Sequence, residues 1–168
     1  DVVLAIPRSG ELKMNLDRFL PDAGVMRVRL LVSRSTQEPT EFASLRLVFS
    51  AHTSNNANFM NEISKSDIPV TASPDQPEWV HFDIPLQDIQ RNPFRKLETT
   101  FPRRDEFLHI RNVANSNGDG NSFHVLIHRI EIDAPHYGQW PPVAHQDLFF
   151  NDDLKVEERD YCREILIR

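Results

Sequence analysis

Cysteine is almost absent from this chain of 168 residues, because Cys162 is the only one. A disulfide within the chain and a metal or haem site built from cysteines are therefore excluded for this segment. The haem-attachment pattern Cys-x-x-Cys-His is missing as well, so we expect no haem here. A single cysteine is compatible with reducing and oxidising compartments alike, and it does not decide the location.

Long hydrophobic runs and an excess of basic charge are also missing. No run approaches the ~20 apolar residues that a membrane-spanning helix requires. The 25 acidic residues outnumber the 19 basic ones, which gives a formal net charge of −6. Proteins that bind nucleic acids cluster Lys and Arg against the phosphates, whereas the basic residues here are mostly scattered. We therefore expect neither a membrane span nor a nucleic-acid partner.

The patterns of catalytic sites are lacking too. The chain has no Gly-x-Ser-x-Gly turn of the kind that presents a nucleophilic serine. Cys162 lies in a charged, helix-like stretch. Nothing marks a carboxylate pair such as Asp83 and Asp88 as an acid and a base with shifted pKa values. The sequence therefore predicts a protein that is not an enzyme.

The composition that remains is that of an ordinary globular domain, with 39% apolar and 26% charged residues. The strongest pattern is 121–142, NSFHVLIHRIEIDAPHYGQWPP. Apolar residues alternate with polar ones there, with a one-residue slip between Ile127 and Ile130, which is typical of a buried strand. Because proline has no N–H to donate to a sheet, we expect this strand to end at Ala134-Pro135.

Shorter strand-like stretches recur along the chain. They lie at 2–6, 12–16, 25–33, 45–49, 63–70, 79–84 and 106–113. The loops between them are rich in Gly, Pro and Asn, and we expect the polar stretch 52–61 to be one of them. No helix of useful length separates the strands. This order predicts an all-β fold, an antiparallel β-sandwich or jelly roll.

The pattern changes near the end of the chain. From Asn151 onward, charged and apolar residues follow a helical register. We therefore predict a β-sandwich module over 1–142 and, over 143–168, a linker and the start of a following helical domain. Since the chain begins at Asp1 without a methionine and ends within this short C-terminal helical extension, we expect it to be a piece of a larger protein.

Two stretches carry a resemblance to a known fold family. In 21–30, PDAGVMRVRL, a turn glycine precedes a strand of alternating arginine and valine type. This stretch resembles the early strand of galactose-binding-like carbohydrate modules, and 124–133 is similar to the closing strand of the same fold. The resemblance implies a galactose-binding-like jelly roll and a carbohydrate ligand.

Three further stretches, 92–94, 131–135 and 140–142, make the chain similar to a segment of large planctomycetal proteins. These proteins are built from domains of unknown function and often carry c-type cytochrome modules. A sandwich of this kind precedes a helical domain in them, and 161–168 resembles the first helix of that domain. The resemblance implies a periplasmic or extracellular location and contacts with adjacent domains of the parent protein.

Sugar recognition combines an aromatic face with planar polar side chains. The aromatic candidates near loops are Trp79, Phe59, Tyr137 and Trp140, and the polar candidates are Asn55, Asn56, Asn58, Arg91, Asn92, Arg111 and Asn112. A plainer interpretation stands beside this one, because a tryptophan in a strand is more often a core residue than a platform.

A structural Ca²⁺ is the candidate cofactor. Asp119 lies in the loop 115–121, NSNGDGN, whose oxygen atoms suit Ca²⁺, although glycine and asparagine favour a plain turn as well. The resemblance implies a Ca²⁺ between an early acidic residue and an acid in the last strand. The second position falls near His128, which departs from that pattern. Substitutes for the missing acid are Glu11, Glu131 and Asp133.

The function predicted from these patterns is a non-catalytic binding module, with a polysaccharide or oligosaccharide as its ligand, in a larger extracytoplasmic protein. The alternative is a structural spacer without a ligand that packs against a neighbouring helical or cytochrome domain. A spacer should present an apolar patch near 137–150 that its partner covers.

Overall fold

The structure is a computed structural model, and it describes residues 2–36, 43–52, 58–99, 101–113 and 124–138. The strands are β1 (Leu4–Ile6), β2 (Glu11–Asp17), β3 (Val25–Arg34), β4 (Ala43–His52), β5 (Asn58–Glu62), β6 (Ile68–Val70), β7 (Glu78–Pro85), β8 (Glu106–Asn112) and β9 (Val125–His136). A single 3-10 turn, Leu86–Asp88, follows β7. Within these ranges, no helix is long and apolar enough to cross a bilayer.

The strands form two antiparallel sheets. One has four strands in the order β1-β9-β3-β7, and the other has the order β2-β8-β4-β5, with β6 also paired to β4. The predicted all-β antiparallel sandwich is therefore confirmed. The predicted C-terminal helical extension lies outside the described residues. The sandwich belongs to a compact unit, Asp1–His136, and the rest of the chain forms a second unit, of which only Tyr137 and Gly138 are described.

Alternation along the strands places the core between the two sheets. Its fully buried members include Met26, Val28, Leu30 and Val32 of β3, Leu45, Leu47 and Phe49 of β4, and Leu108 and Ile110 of β8. Burying each such side chain contributes roughly 1.5–3 kcal/mol, which favours this register over one shifted by a residue. The charged residues between them consequently face outward from the sandwich.

The outer face of β4 is also partly covered. Val48 and Ser50 alternate with the core residues of β4 and therefore point away from the core, yet both are buried. β4 lies between β8 and β5, so a strand flanks these two residues on either side. This covered strip forms the base of the face that carries the candidate site.

The strand predicted from the pattern in 121–142 is β9, and its end differs from expectation. The slip is confirmed: Leu31 pairs with Arg129 and Val32 with Ile127, which leaves His128 unmatched. The predicted end at Ala134-Pro135 is wrong, since β9 continues to His136. A second register shift lies between the pairs of Val25 and Arg27, at the level of Pro135. A bulge tolerates proline because no ladder N–H is needed there.

Candidate functional site

A polar pocket of about 440 Å³ opens on the outer face of the sheet that contains β2, β8 and β4. Its walls come from the ends of these strands and the segments next to them. The residues that line it are Ser9, Glu11, Arg46, Asp67, Arg111, Asn112 and Val113. We call this the β2–β8–β4 pocket. Its volume lies in the range of small-molecule sites, ~300–1,000 Å³.

Strand register brings three charged residues of the pocket into one row. Glu11 of β2 pairs with Arg111 of β8, and Arg111 pairs on its other side with Arg46 of β4. Side chains directly opposite each other in an antiparallel sheet share a face and lie ~5 Å apart at Cβ. Across the sheet, the row therefore consists of the acid Glu11 followed by the two bases Arg111 and Arg46.

Arg46 organises one wall of the pocket. Its Nε and Nη2 donate to Asp67 Oδ1 and Oδ2 at 2.7 and 2.8 Å, and its Nη1 donates to Glu62 Oε1 at 2.5 Å. A bidentate pair of this kind fixes the orientation of both groups. The hydrogen bonds from Arg46 hold the pKa of Asp67 below its usual 3.8, so this wall stays ionised.

Glu11 is fixed from two sides on the opposite wall. Arg111 Nε donates to Glu11 Oε2 at 2.8 Å, and His109 Nδ1 lies 3.1 Å from Glu11 Oε1. The second contact is poorly aligned with the ring N–H direction, because Nδ1 makes no hydrogen bond of good geometry. Partial burial raises the pKa of Glu11, but the hydrogen bond from Arg111 and the close contact with His109 outweigh it, and the pKa is lowered from 4.5.

His109 connects Glu11 to Ser50 beneath the pocket. The buried imidazole has its Nε2 2.7 Å from Ser50 Oγ. Burial lowers the pKa of His109 from 6.5 and outweighs the opposing effect of the nearby Glu11 carboxylate. With Nδ1–H facing a carboxylate, a neutral ring leaves Nε2 to accept the hydroxyl proton of Ser50. Serine, histidine and glutamate thus stand in the order of a hydrolytic triad.

Ser50 is poorly placed to act as a nucleophile. It is only 4% exposed and lies within β4, paired with Met60 on one side and Phe107 on the other. A substrate carbonyl needs access to the hydroxyl and donors for the developing oxyanion. We therefore assign the Ser50–His109–Glu11 chain to holding the Glu11 carboxylate in place.

A tight turn before β2 forms the rim of the pocket. Gly10 N donates to Pro7 O at 2.8 Å, and Ser9 N and Asn112 N bond to Asn112 O and Gly10 O at 3.0 Å each. A Cβ at Gly10 would lie within 2.9 Å of the Pro7 ring and carbonyl, so this position requires glycine. The turn ties Ser9 and Asn112 to the same edge of the pocket.

The β2–β8–β4 pocket unites residues that the sequence assigned to different sites. Arg111 and Asn112 were sugar candidates, whereas Glu11 was a calcium candidate. Sequence reasoning missed Ser9, Arg46, Asp67 and Val113. Arg46 alternates with the core residues Leu45 and Leu47, which predicts an outward side chain, but its neighbours follow only from the pairing of strands.

Arg91 and Asn92 lie elsewhere, inside the fold. The Arg91 side chain is 8% exposed and donates to the buried Glu106 carboxylate at 2.8 and 2.6 Å. Asn92 is fully buried, with its N–H donating to Glu106 at 2.9 Å and its Nδ2 donating to Arg103 O at 3.0 Å. Their polar groups are used in holding loops together, and the pocket does not include them.

Trp79 lies on the other sheet, so it cannot serve the same pocket. It belongs to β7 and is 41% exposed, which places it at the surface rather than in the core. The guanidinium of Arg29 lies 4.5 Å from the centre of its ring.

The other sugar candidates are spread over the chain. Asn58 is exposed on β5, Phe59 packs partly against the core, and Tyr137 is exposed in the second unit. Asn55, Asn56 and Trp140 lie outside the described residues.

The calcium candidates do not come together. Glu11 belongs to one sheet, and Glu131 and Asp133 belong to β9 of the other. Glu131 instead accepts a hydrogen bond from Arg29 and forms an ion pair with Arg129, each at 2.9 Å. In the described part of the chain, no three His, Cys, Asp or Glu side chains are grouped for a metal ion. Asp119 lies outside it.

Comparisons with known proteins add little to what the structure shows. No family model matches the chain, and no curated protein sequence does. The chain is similar to a solved structure described as "Family 16 Carbohydrate Binding Module-2", with 11% sequence identity and a TM-score of 0.37. The match covers 77% of this chain and 74% of that one. A likeness this distant carries no argument about the ligand, and none of the comparisons supports the planctomycetal resemblance.

Proposed function

We propose that this domain is a non-catalytic binding module of a larger extracytoplasmic protein, and that it takes an uncharged oligosaccharide in the β2–β8–β4 pocket. The observation that carries the proposal is the charge balance of the walls. Glu11 and Arg111 form one ion pair and Asp67 and Arg46 form another. Among its described lining residues, the pocket therefore offers many polar groups and pairs each acid with a base.

Sugar hydroxyls suit such a lining better than ions do. Each hydroxyl can both donate and accept, so a ring with adjacent hydroxyls can accept from a guanidinium and donate to the neighbouring carboxylate. An ionic ligand would have to displace one partner of a formed pair and leave the other charge unmatched. The methylene stems of Arg46 and Arg111, together with Val113, supply the apolar surface for the faces of a sugar ring.

The walls are held in position before any ligand arrives. Arg46 is fixed by Asp67 and Glu62, and Glu11 is fixed by Arg111 and His109. Polar groups that are already oriented lose little side-chain entropy on binding. Since no aromatic ring is among the described residues that line the pocket, hydrogen bonds supply most of the recognition in this proposal.

Exposed apolar side chains favour a second candidate, a structural or interaction domain without a ligand. Phe19 is 76% exposed and Phe101 is 69% exposed. Both lie in the loops that follow β2 and precede β8, where Arg18 Nη1 bonds to Leu97 O at 3.4 Å. Contiguous apolar surface marks contacts with other proteins, and this candidate requires the two side chains to form one such patch. An interaction domain would bind no sugar and would depend on Phe19 and Phe101 for its partner.

The proposed function is tested by calorimetric titration of the 168-residue chain with neutral oligosaccharides of several linkages. Glu11→Gln keeps the shape of the side chain and removes a charged acceptor, so we expect about tenfold weaker binding of the best ligand. Glu131→Gln is the matched control, because Glu131 also contacts two cationic side chains but lies on the opposite sheet. It should bind as the wild type does. A panel without any ligand, or equal losses in the two variants, would overturn the proposal.

A further inference from the structure

Two arginines converge at one end of the paired strands β2 and β8. Arg18 directly follows β2, and Arg104 lies just before β8. Arg104 Nη1 donates to Leu97 O at 2.5 Å. Arg18 Nη1 donates to the same oxygen at 3.4 Å, which is long for a hydrogen bond. The two guanidinium groups therefore meet at a single neutral acceptor.

Neither arginine forms an ion pair with any of the described residues. Asp22 and Glu106, which belong to the same loops and strand ends, pair with other cations. The other acids near Arg18 and Arg104 in sequence form no ion pair within the described ranges, and these are Asp17, Glu98 and Asp105. The chain has a formal net charge of −6, so it has acids in excess. Two cations nevertheless stay together here without one.

Interior side chains hold the backbone on both sides of this arginine pair. In the loop after β2, Arg91 donates to Leu20 O at 2.9 Å. In the loop before β8, Asn92 Nδ2 donates to Arg103 O at 3.0 Å. These contacts keep two like charges close although they repel each other. Because the loops are fixed before any ligand arrives, the entropic cost of binding is low.

The arginine pair lies at the far end of β2 and β8 from the β2–β8–β4 pocket. Glu11 begins β2 and pairs with Arg111 near the end of β8, whereas Arg18 and Arg104 lie beyond the opposite ends of the same strands. Since β2 has seven residues, the two places are about 20 Å apart. A ligand at the arginine pair is therefore independent of the sugar proposed for the pocket.

We infer that Arg18 and Arg104 form a binding site for a phosphate monoester group. Such a group carries a charge of about −1.5 to −2 at neutral pH, which matches two guanidinium groups. A carboxylate or a sulfate ester carries a single negative charge and would leave one arginine unmatched. The N–H forks of arginine also fit phosphate oxygens in pairs. On binding, Arg18 gives up only its long contact with Leu97 O.

The test titrates the 168-residue chain with methyl phosphate and follows the backbone amide resonances of Arg18 and Arg104 by NMR. We expect saturable shifts at neutral pH. Methyl sulfate has the same tetrahedral shape but one charge fewer, so it should bind about tenfold weaker. At about pH 5 methyl phosphate has lost its second charge, whose pKa is about 6, and should bind as weakly as methyl sulfate. Shifts without saturation, or equal affinity for the two esters at neutral pH, would overturn the inference.

Three variants separate this site from the general charge of the loops. Arg18→Gln and Arg104→Gln should each weaken binding of methyl phosphate about tenfold. Arg103→Gln removes the same charge from an exposed position in the same loop and should bind as the wild type does. Arg18→Gln removes only a long hydrogen bond, so it tests the site even where Arg104→Gln lowers the melting temperature. Equal losses in Arg18→Gln and Arg103→Gln would show that only net charge matters and would refute the site.

Discussion

Arg91 and Glu106 form a buried ion pair in which Nε lies 2.8 Å from Oε1 and Nη2 lies 2.6 Å from Oε2. The same guanidinium donates to Pro21 O at 2.7 Å and to Leu20 O at 2.9 Å. One side chain therefore joins the loop after β2, the loop before β8 and β8 itself. We therefore expect this ion pair to stabilise the fold and to take no part in ligand binding.

Removing one partner of this pair leaves a buried charge without compensation. We expect Arg91→Ala to lower the free energy of unfolding by about 3–5 kcal/mol, measured by urea denaturation. Arg95→Ala is the control, because Arg95 pairs with the exposed Asp22 and should cost less than about 1 kcal/mol. Similar losses in the two variants would mean that the Arg91 pair contributes no more than a surface contact.

The buried imidazole of His109 predicts how stability depends on pH. Burial lowers the pKa of His109 in the folded protein, whereas the unfolded chain titrates near 6.5. Between the two values the unfolded state binds more protons, so the free energy of unfolding rises with pH and falls on acidification through 6.5. Glu11 adds a slope of the same sign below 4.5, because its folded pKa is lowered too.

The replacement His109→Gln should flatten the first of these slopes just below pH 6.5 and also reduce the more acidic one, because His109 is one of the two groups that lower the pKa of Glu11. Melting temperatures of the wild type and the variant, compared across that interval, measure the difference. An unchanged slope in the variant would show that another group is responsible.

Asp22 is a surface carboxylate held by two cations. Hydrogen bonds from Lys96 and then from Arg95 lower the pKa of Asp22 from 3.8 to about 2. We expect a carboxyl titration followed by NMR to return this value, and Lys96→Gln to move it toward 3.8. High salt should move it in the same direction, because exposed pairs are screened. An unshifted Asp22 would contradict this arrangement of the loop.

Replacing Trp79 tests which of the two sheets carries the sugar site. Because it is 41% exposed, we expect Trp79→Ala to fold and to lose only about 1–2 kcal/mol of stability. In the wild type, acrylamide should quench the fluorescence of Trp79, which is the part of the signal that the substitution removes. Sugar affinity should persist, since the β2–β8–β4 pocket lies on the other sheet. Loss of sugar binding with the fold intact would relocate the site to β7.

Local sequence patterns were sufficient to predict most of the strands. Alternation in β3 and β4 encodes which side chains are buried, and the slip in β9 was visible as a break in that alternation. β5 was instead predicted as a loop, because Asn58–Glu62 is mostly polar. That strand exists through its backbone pairing with β4, from Val48↔Glu62 to His52↔Asn58, which no local pattern reveals.

The candidate site depends on contacts between distant positions. Glu11 and Arg111 are 100 positions apart and meet only because β2 pairs with β8 in one register. From the sequence alone, Arg91 and Asn92 were as suitable for contacting a sugar as Arg111 and Asn112 were. Only the position of the buried Glu106 shows that their hydrogen bonds are used inside the fold.

The central claim is tested most directly by comparing two arginines that lie on opposite sheets and are equally exposed, of which Arg46 also bonds to Glu62. Arg46 and Arg27 each form a bidentate pair with an aspartate, and both side chains are 31% exposed. Arg46 lines the β2–β8–β4 pocket, whereas Arg27 lies on the opposite sheet. Replacing either by alanine should cost less than about 1 kcal/mol of stability.

The measurement is the calorimetric affinity for the best neutral oligosaccharide of the panel. The account predicts at least about tenfold weaker binding for Arg46→Ala and wild-type affinity for Arg27→Ala. Wild-type affinity for Arg46→Ala, or an equal loss in the two variants, would contradict it.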